Sequence, residues 1–211
     1  MAWGKLKPRK RGFPWLWVIV ALFTAALFAP VFWHVFVLNT PLNLPNLKAA
    51  IIDQLYTEYP NENFTTEVKG ALEAYGFQVD VYQGSEVTVN LYRNLPSYDY
   101  KLIIIRSHSG IERRMDLIER YVTEYIVLFT NEPYTTGKYP FNQLDDSLVE
   151  AAVTEDSPRF FGITPKFISN SMQGNLRNTV VIVAGCALLH DNIMASAFTQ
   201  KGASAFLAWN G

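Results

Sequence analysis

Asp53, His108 and Cys186 have both the chemistry and the placement of reaction-centre residues in this 211-residue chain, because each follows an apolar run. Asp53 closes Ala49-Ala50-Ile51-Ile52, and His108 follows Leu102-Ile103-Ile104-Ile105 within Arg106-Ser107-His108-Ser109-Gly110. Cys186, the single cysteine, follows Val180-Val181-Ile182-Val183-Ala184 through Gly185. An imidazolium beside a thiol favours the thiolate, which is the nucleophilic form. Gly185 leaves the backbone beside the thiol accessible, and Gly110 permits a tight turn after the histidine. Simpler roles compete at each position. A cysteine after aliphatics is commonly a core residue, and Asp53 either orients the histidine, binds a basic substrate side chain, or is a turn or cap residue. His190 is a second candidate base, but beside Asp191 at a helix start it suits a cap or rim role. A lone cysteine also excludes an intrachain disulfide.

These residues can meet only if the runs are neighbouring strands, and the hydrophobic pattern supports that. Strands are expected at 49–53, 77–82, 101–106, 125–130, 179–184 and 203–209, the unbroken aliphatic run at 102–105 suiting a strand covered on both faces. Val68, Ala71, Leu72 and Tyr75 recur at helical spacing, predicting a helix over 66–75 with Thr65 as N-cap and Gly76 as stop. Further helices are expected around Val87 to Leu95 and at 143–152, 165–172 and 191–201. Alternation of this kind implies right-handed crossovers and a doubly wound, mainly parallel α/β sheet. Functional residues then gather beyond the carboxyl ends of the strands, where Asp53, His108 and Cys186 would emerge together. The mixed-charge run from Glu112 to Arg120 reads as a solvated helix or loop face.

The composition divides the chain. A 49% hydrophobic content, 18% charged residues and a net charge of -1 exclude disorder and a nucleic-acid partner held by global positive charge. Yet Lys5, Lys7, Arg9, Lys10 and Arg11 give the first twelve residues +5, while residues 13–211 hold 13 basic against 19 acidic side chains, or -6. Between Gly12 and Leu47 there is no Asp, Glu, Lys or Arg. Residues 15–38 would form a helix about 36 Å long, enough to cross a hydrocarbon core of about 30 Å. Trp15, Trp17 and Trp33 would lie near its ends. The expectation is a basic cytoplasmic segment over 1–14, an uncleaved single-pass anchor contacting membrane lipid over 15–38, a linker over 39–47, and a domain over 48–211. The excess of basic residues before the span places the N-terminus in the cytoplasm and the domain outside the cell membrane. No metal-binding cluster, phosphate-binding glycine loop or dinucleotide fingerprint is present, so no cofactor and no metal are expected.

Taken together, Leu102-Ile103-Ile104-Ile105 leading to Ser107-His108, and Val180-Val181-Ile182-Val183-Ala184-Gly185-Cys186, resemble the caspase-like cysteine peptidases, including gingipain-like and CHAT-like members. The resemblance covers 48–211. It implies a caspase-like fold and a cysteine endopeptidase acting on polypeptide, with Cys186 as nucleophile and His108 as its general base or imidazolium partner. Backbone N–H groups near Gly110 and Cys186 would stabilise the oxyanion. The His108-to-Cys186 separation of 78 positions implies an insertion such as 125–172. The resemblance also leads one to expect a further helix and strand beyond Gly211, leaving the domain incomplete. The alternative is an inactive, membrane-anchored binding or scaffold domain with the same fold, using its strand-end groove for a protein partner.

Overall fold

A computed structural model describes residues 47–115 and 122–209. The expected anchor over 15–38 lies outside them, and among the described residues no helix is long and apolar enough to cross a membrane. The chain forms an α/β fold around a central parallel sheet of β1 (Lys48–Asp53), β2 (Gln78–Gln83), β3 (Leu102–Arg106), β8 (Val180–Ala184) and β9 (Ala205–Ala208), in the order β2-β1-β3-β8-β9. Inserted between β3 and β8 is an antiparallel sheet of β4 (Ser109–Met115), β5 (Val122–Pro133), β6 (Leu148–Ala151) and β7 (Phe160–Ile163), ordered β4-β5-β7-β6.

One face of the central sheet presents Ala50, Ile52, Ile103, Ile105, Val181 and Val183 to the main core, where Ile126, Leu128, Phe161 and Ile163 of the second sheet also lie. Three helices close that core: α2 (Val89–Asn94), α4 (Pro165–Asn170) and α5 (Ile193–Gln200). Their Val89, Tyr92, Phe167, Ile168, Met194 and Phe198 are buried in it, each such side chain contributing about 1.5–3 kcal/mol of burial. On the other face Ala49 and Ile51 are buried where α1 (Glu62–Ala74) packs on β1 and β2, while Leu102, Ile104, Val180 and Ile182 are only half-buried. The run of β1 is therefore covered on both faces, whereas those of β3 and β8 are fully covered on one face only.

Several local expectations are revised. Helix α1 begins at Glu62, its cap being Asn61, whose side chain accepts the Phe64 N–H at 3.0 Å; Thr65 instead accepts a hydrogen bond from Gln83 Nε2. The helix expected at 143–152 is a short α3 (Pro140–Leu144) followed by β6. Asp145 stops it by accepting the Ser147 N–H, and Asp146 adopts a left-handed φ of 59°. The mixed-charge run after His108 opens as β4, because its residues pair antiparallel with β5 from Ser109↔Leu128 onward.

An ion pair closes the carboxyl edge of the central sheet. Asp53 and Arg106 are register partners on β1 and β3. Arg106 Nη1 donates to both Asp53 oxygens at 2.8 and 3.0 Å, and its Nη2 donates to the Tyr59 carbonyl at 2.7 Å. Asp53 is 0% exposed. Burial raises its pKa, and Arg106 offsets part of that rise. A raised folded-state pKa means that Asp53 opposes folding more as pH rises through that value, so removing its cation is harmful at neutral pH and less so in acid. Urea denaturation of Arg106→Met is expected to reveal a loss of about 3–5 kcal/mol near neutral pH, shrinking towards pH ~4, with Asp53→Leu/Arg106→Met losing less than the single variant. An equal loss at both pH values would mean the carboxylate is not the cause.

Candidate functional site

The strand order runs outward in both directions from β1, with β2 on one side and β3, β8 and β9 on the other. A reversal of this kind opens a crevice beyond the carboxyl ends of the strands. A cavity of about 400 Å3 lies at that edge, with Phe129, Val153, Pro158 and Phe160 as apolar walls and Thr57, Glu58, His108 and Ser157 as polar ones.

Gln54, the residue after Asp53, frames the crevice. Its Oε1 accepts the His108 N–H at 2.8 Å and the Ser107 hydroxyl at 3.4 Å, and its Nε2 donates to Asn131 Oδ1 at 2.6 Å. Asn131 Nδ2 returns hydrogen bonds to the carbonyls of Gln54 at 2.7 Å and Gly84 at 3.0 Å. The amides of both residues are thereby committed to structure. The groups left for chemistry are Glu58 and His108, whose Oε2 and Nε2 lie 3.0 Å apart. The imidazole is further held by Phe129 and Tyr59, with ring centroids 5.8 and 5.9 Å away. A carboxylate on one imidazole nitrogen fixes the ring's orientation and tautomer. Such a pair accepts a proton, or a hydrogen bond from a cationic group, at the crevice mouth.

The other sequence candidates fall differently. Asp53 serves Arg106 rather than orienting the histidine. Cys186 is exposed on the turn after β8, where its carbonyl accepts the Ser109 hydroxyl at 2.5 Å. The two turns touch through backbone, but among the described residues no hydrogen bond joins the Cys186 thiol to the imidazole, which is directed at Glu58. His190 is a rim residue 3.4 Å from Glu124. Gly110 makes no turn; it lies within β4, and a Cβ there would meet nothing within 4 Å. Gly185 is needed for close approach, since a Cβ would come within 2.6 Å of Ser109 Oγ and 2.7 Å of the Ser107 carbonyl. Gln54, Glu58 and Asn131 had no place in the sequence reading. The signal was available, because Gln54 directly follows β1 and Asn131 lies just past the apolar stretch 126–129 of β5.

No protein-family model matches the chain, and no curated protein matches it. Among solved structures it is similar to a short-chain flavodoxin associated with a non-canonical PDU bacterial microcompartment, at 12% identity and a TM-score of 0.33, covering 78% of this chain and 85% of that one. It is also similar to a Streptococcus pneumonia TIGR4 flavodoxin, at 12% identity and a TM-score of 0.32, covering 78% and 86%. The caspase-like expectation is corrected: no protein-family model and no curated protein supports that peptidase fold, and the two solved structures named are flavodoxins. The cysteine-endopeptidase reading and its inactive caspase-like alternative are withdrawn with it. Likeness at this level assigns no activity and no cofactor.

In doubly wound sheets of order 2-1-3-4-5, flavin mononucleotide sits at the β1/β3 switch point. The residues here do not fit its phosphate. The β1-to-α1 connection, 54–61, contains no glycine, and its Glu58 and Tyr59 N–H groups both donate to the Leu55 carbonyl. Helix α1 is capped by Asn61 and carries an acid, Glu62, in its first turn, which repels an anion.

The two glycines give a direct check on the strand-end geometry. Gly185→Ala is expected to cost about 1–3 kcal/mol in denaturant unfolding, because backbone must move, whereas Gly110→Ala stays within about 0.5 kcal/mol. Equal costs would contradict the close approach of the two turns.

Proposed function

We propose that this domain is a receptor for a small amphipathic ligand with a cationic head, held in the crevice beyond β1 and β3. The observation that carries the proposal is the cavity itself: apolar walls from Phe129, Val153, Pro158 and Phe160 beside one carboxylate, Glu58, held against His108. Ligand sites combine an apolar enclosure with a few oriented polar groups in this way. The sign of the head follows from what lines the cavity. Among the described residues no Lys or Arg does so, and nearby Arg106 is committed to Asp53 and the Tyr59 carbonyl. An ammonium group meets a carboxylate at the mouth while an aromatic or branched body replaces water against the phenyl rings. A ligand anion would bring its charge up to Glu58 with only His108 to offset it.

Phenethylamine and phenylacetate share a ring and differ in head charge, so they separate the possibilities. By ligand-observed NMR on the full chain, phenethylamine is expected to bind with a Kd of about 1 mM and to weaken roughly tenfold in Glu58→Gln. Phenylacetate binding as well as phenethylamine, or an unchanged Kd in Glu58→Gln, would rule the proposal out.

A further inference from the structure

We infer that protonation of His108 switches the crevice from a cation-holding state to a charge-neutral one, so that the site holds its ligand at about pH 8 and loosens it at about pH 5.5. The switch rests on the ligand class proposed above and adds its regulation. Its basis is that one carboxylate serves both the imidazole and the ligand. Glu58 Oε2 lies 3.0 Å from His108 Nε2, and both residues line the cavity. In the neutral ring the single N–H sits on Nε2 and donates to that oxygen, because an ionised carboxylate can only accept. The pair then carries one negative charge. Among the described residues no hydrogen bond is made to Glu58 Oε1 or to His108 Nδ1, so Oε1 is left for an ammonium group and Nδ1 is where a second proton enters. With that proton the pair becomes imidazolium and carboxylate, net zero, and an incoming cation meets a like charge beside its acceptor.

The surrounding elements leave this pair to set the charge. After β1, Tyr59 packs edge-on against the imidazole at 5.9 Å, while Tyr56 is outside the cavity lining. At the strand ends Asp53 and Arg106 pair with each other. The uncharged Phe129 and Asn131 face the cavity from β5, and Glu112 of β4 lines a separate recess beyond Phe129. Cys186, on the turn after β8, is exposed and gives its carbonyl to Ser109. In the segment 153–160, Arg159 is held by Glu150 at 3.5 Å and by the Glu155 carbonyl at 2.7 Å, and Glu155 and Asp156 are exposed and outside the lining. The His108 side chain is 21% exposed, so solvent protons reach it. Like charges a few ångströms apart at a half-exposed site are worth roughly a factor of ten in affinity. The coupling is reciprocal, so a bound cation makes His108 harder to protonate by the same factor.

The test is ligand-observed NMR on the full chain at fixed ionic strength, at about pH 8 and about pH 5.5, an interval across which phenethylamine stays an ammonium and phenylacetate a carboxylate. Phenethylamine is expected to weaken roughly tenfold at the lower pH, whereas phenylacetate does not weaken. In His108→Gln the two phenethylamine Kd values should agree within about twofold, while His190→Gln keeps the roughly tenfold difference. In the wild-type chain, saturating phenethylamine should lower the midpoint of the His108 imidazole titration by about one pH unit. Binding that depends on Glu58 but keeps its Kd at the lower pH, or a pH dependence that survives in His108→Gln and so arises from Asp53 or Glu58, overturns the switch and leaves the ligand class standing. No phenethylamine binding at the higher pH, or binding there that ignores Glu58→Gln, overturns the ligand class and the switch with it.

Discussion

The side-chain amide of Gln54 is the point at which the two sheets of this protein are fastened together. It leaves the end of β1, receives the backbone N–H of His108 as the chain passes from β3 into β4, and donates to Asn131 on β5. Gln54 is 4% exposed, so each of these bonds is made in a setting where an unmade one costs about 1–3 kcal/mol. The arrangement is cooperative: Asn131 returns its own N–H bonds to Gln54 and Gly84 and would lose its acceptor with the amide. Beside it, Asp53 and Arg106 hold β1 to β3 and reach the Tyr59 carbonyl. The crevice is therefore preorganised by groups whose side-chain hydrogen bonds are made within the protein.

That constraint also decides what His108 can do. Its backbone is fixed by Gln54 and its ring is held by Glu58, Phe129 and Tyr59, so the imidazole belongs to the β1/β3 crevice. Cys186 lies one strand further along the same edge, where Ser109 binds its carbonyl. Strand-end position brought both residues to one edge of the sheet, but position does not set side-chain direction. The pair that the crevice presents is an oriented acid and imidazole, Glu58 and His108.

The central sheet was legible because its strands are aliphatic runs with clear ends, and both Asp53 and His108 lie where such runs stop. The second sheet was not. In β4 the sequence Ser109-Gly110-Ile111-Glu112-Arg113-Arg114-Met115 has the charge content of a solvated surface, and only pairing with β5 makes it a strand. In β6, Leu148, Val149 and Ala151 suit a helix as well as a strand until the Asp145–Ser147 turn breaks the chain direction. Glu58 escaped notice for a different reason: it lies in a loop 50 residues from His108, and nothing local links them. Asp53 was noticed with three roles open, as orienting residue, substrate contact, or turn or cap residue, and none of them named Arg106, its register partner on the adjacent strand.

The most direct test of the account is the imidazole 15N spectrum of His108 in the full chain. A Glu58→Gln substitution is predicted to move the Nε2 resonance, because it replaces the carboxylate that the ring faces, whereas Cys186→Ala leaves that resonance in place. A resonance that responds to Cys186→Ala and ignores Glu58→Gln would contradict the assignment of His108 to the crevice, and with it the site proposed here.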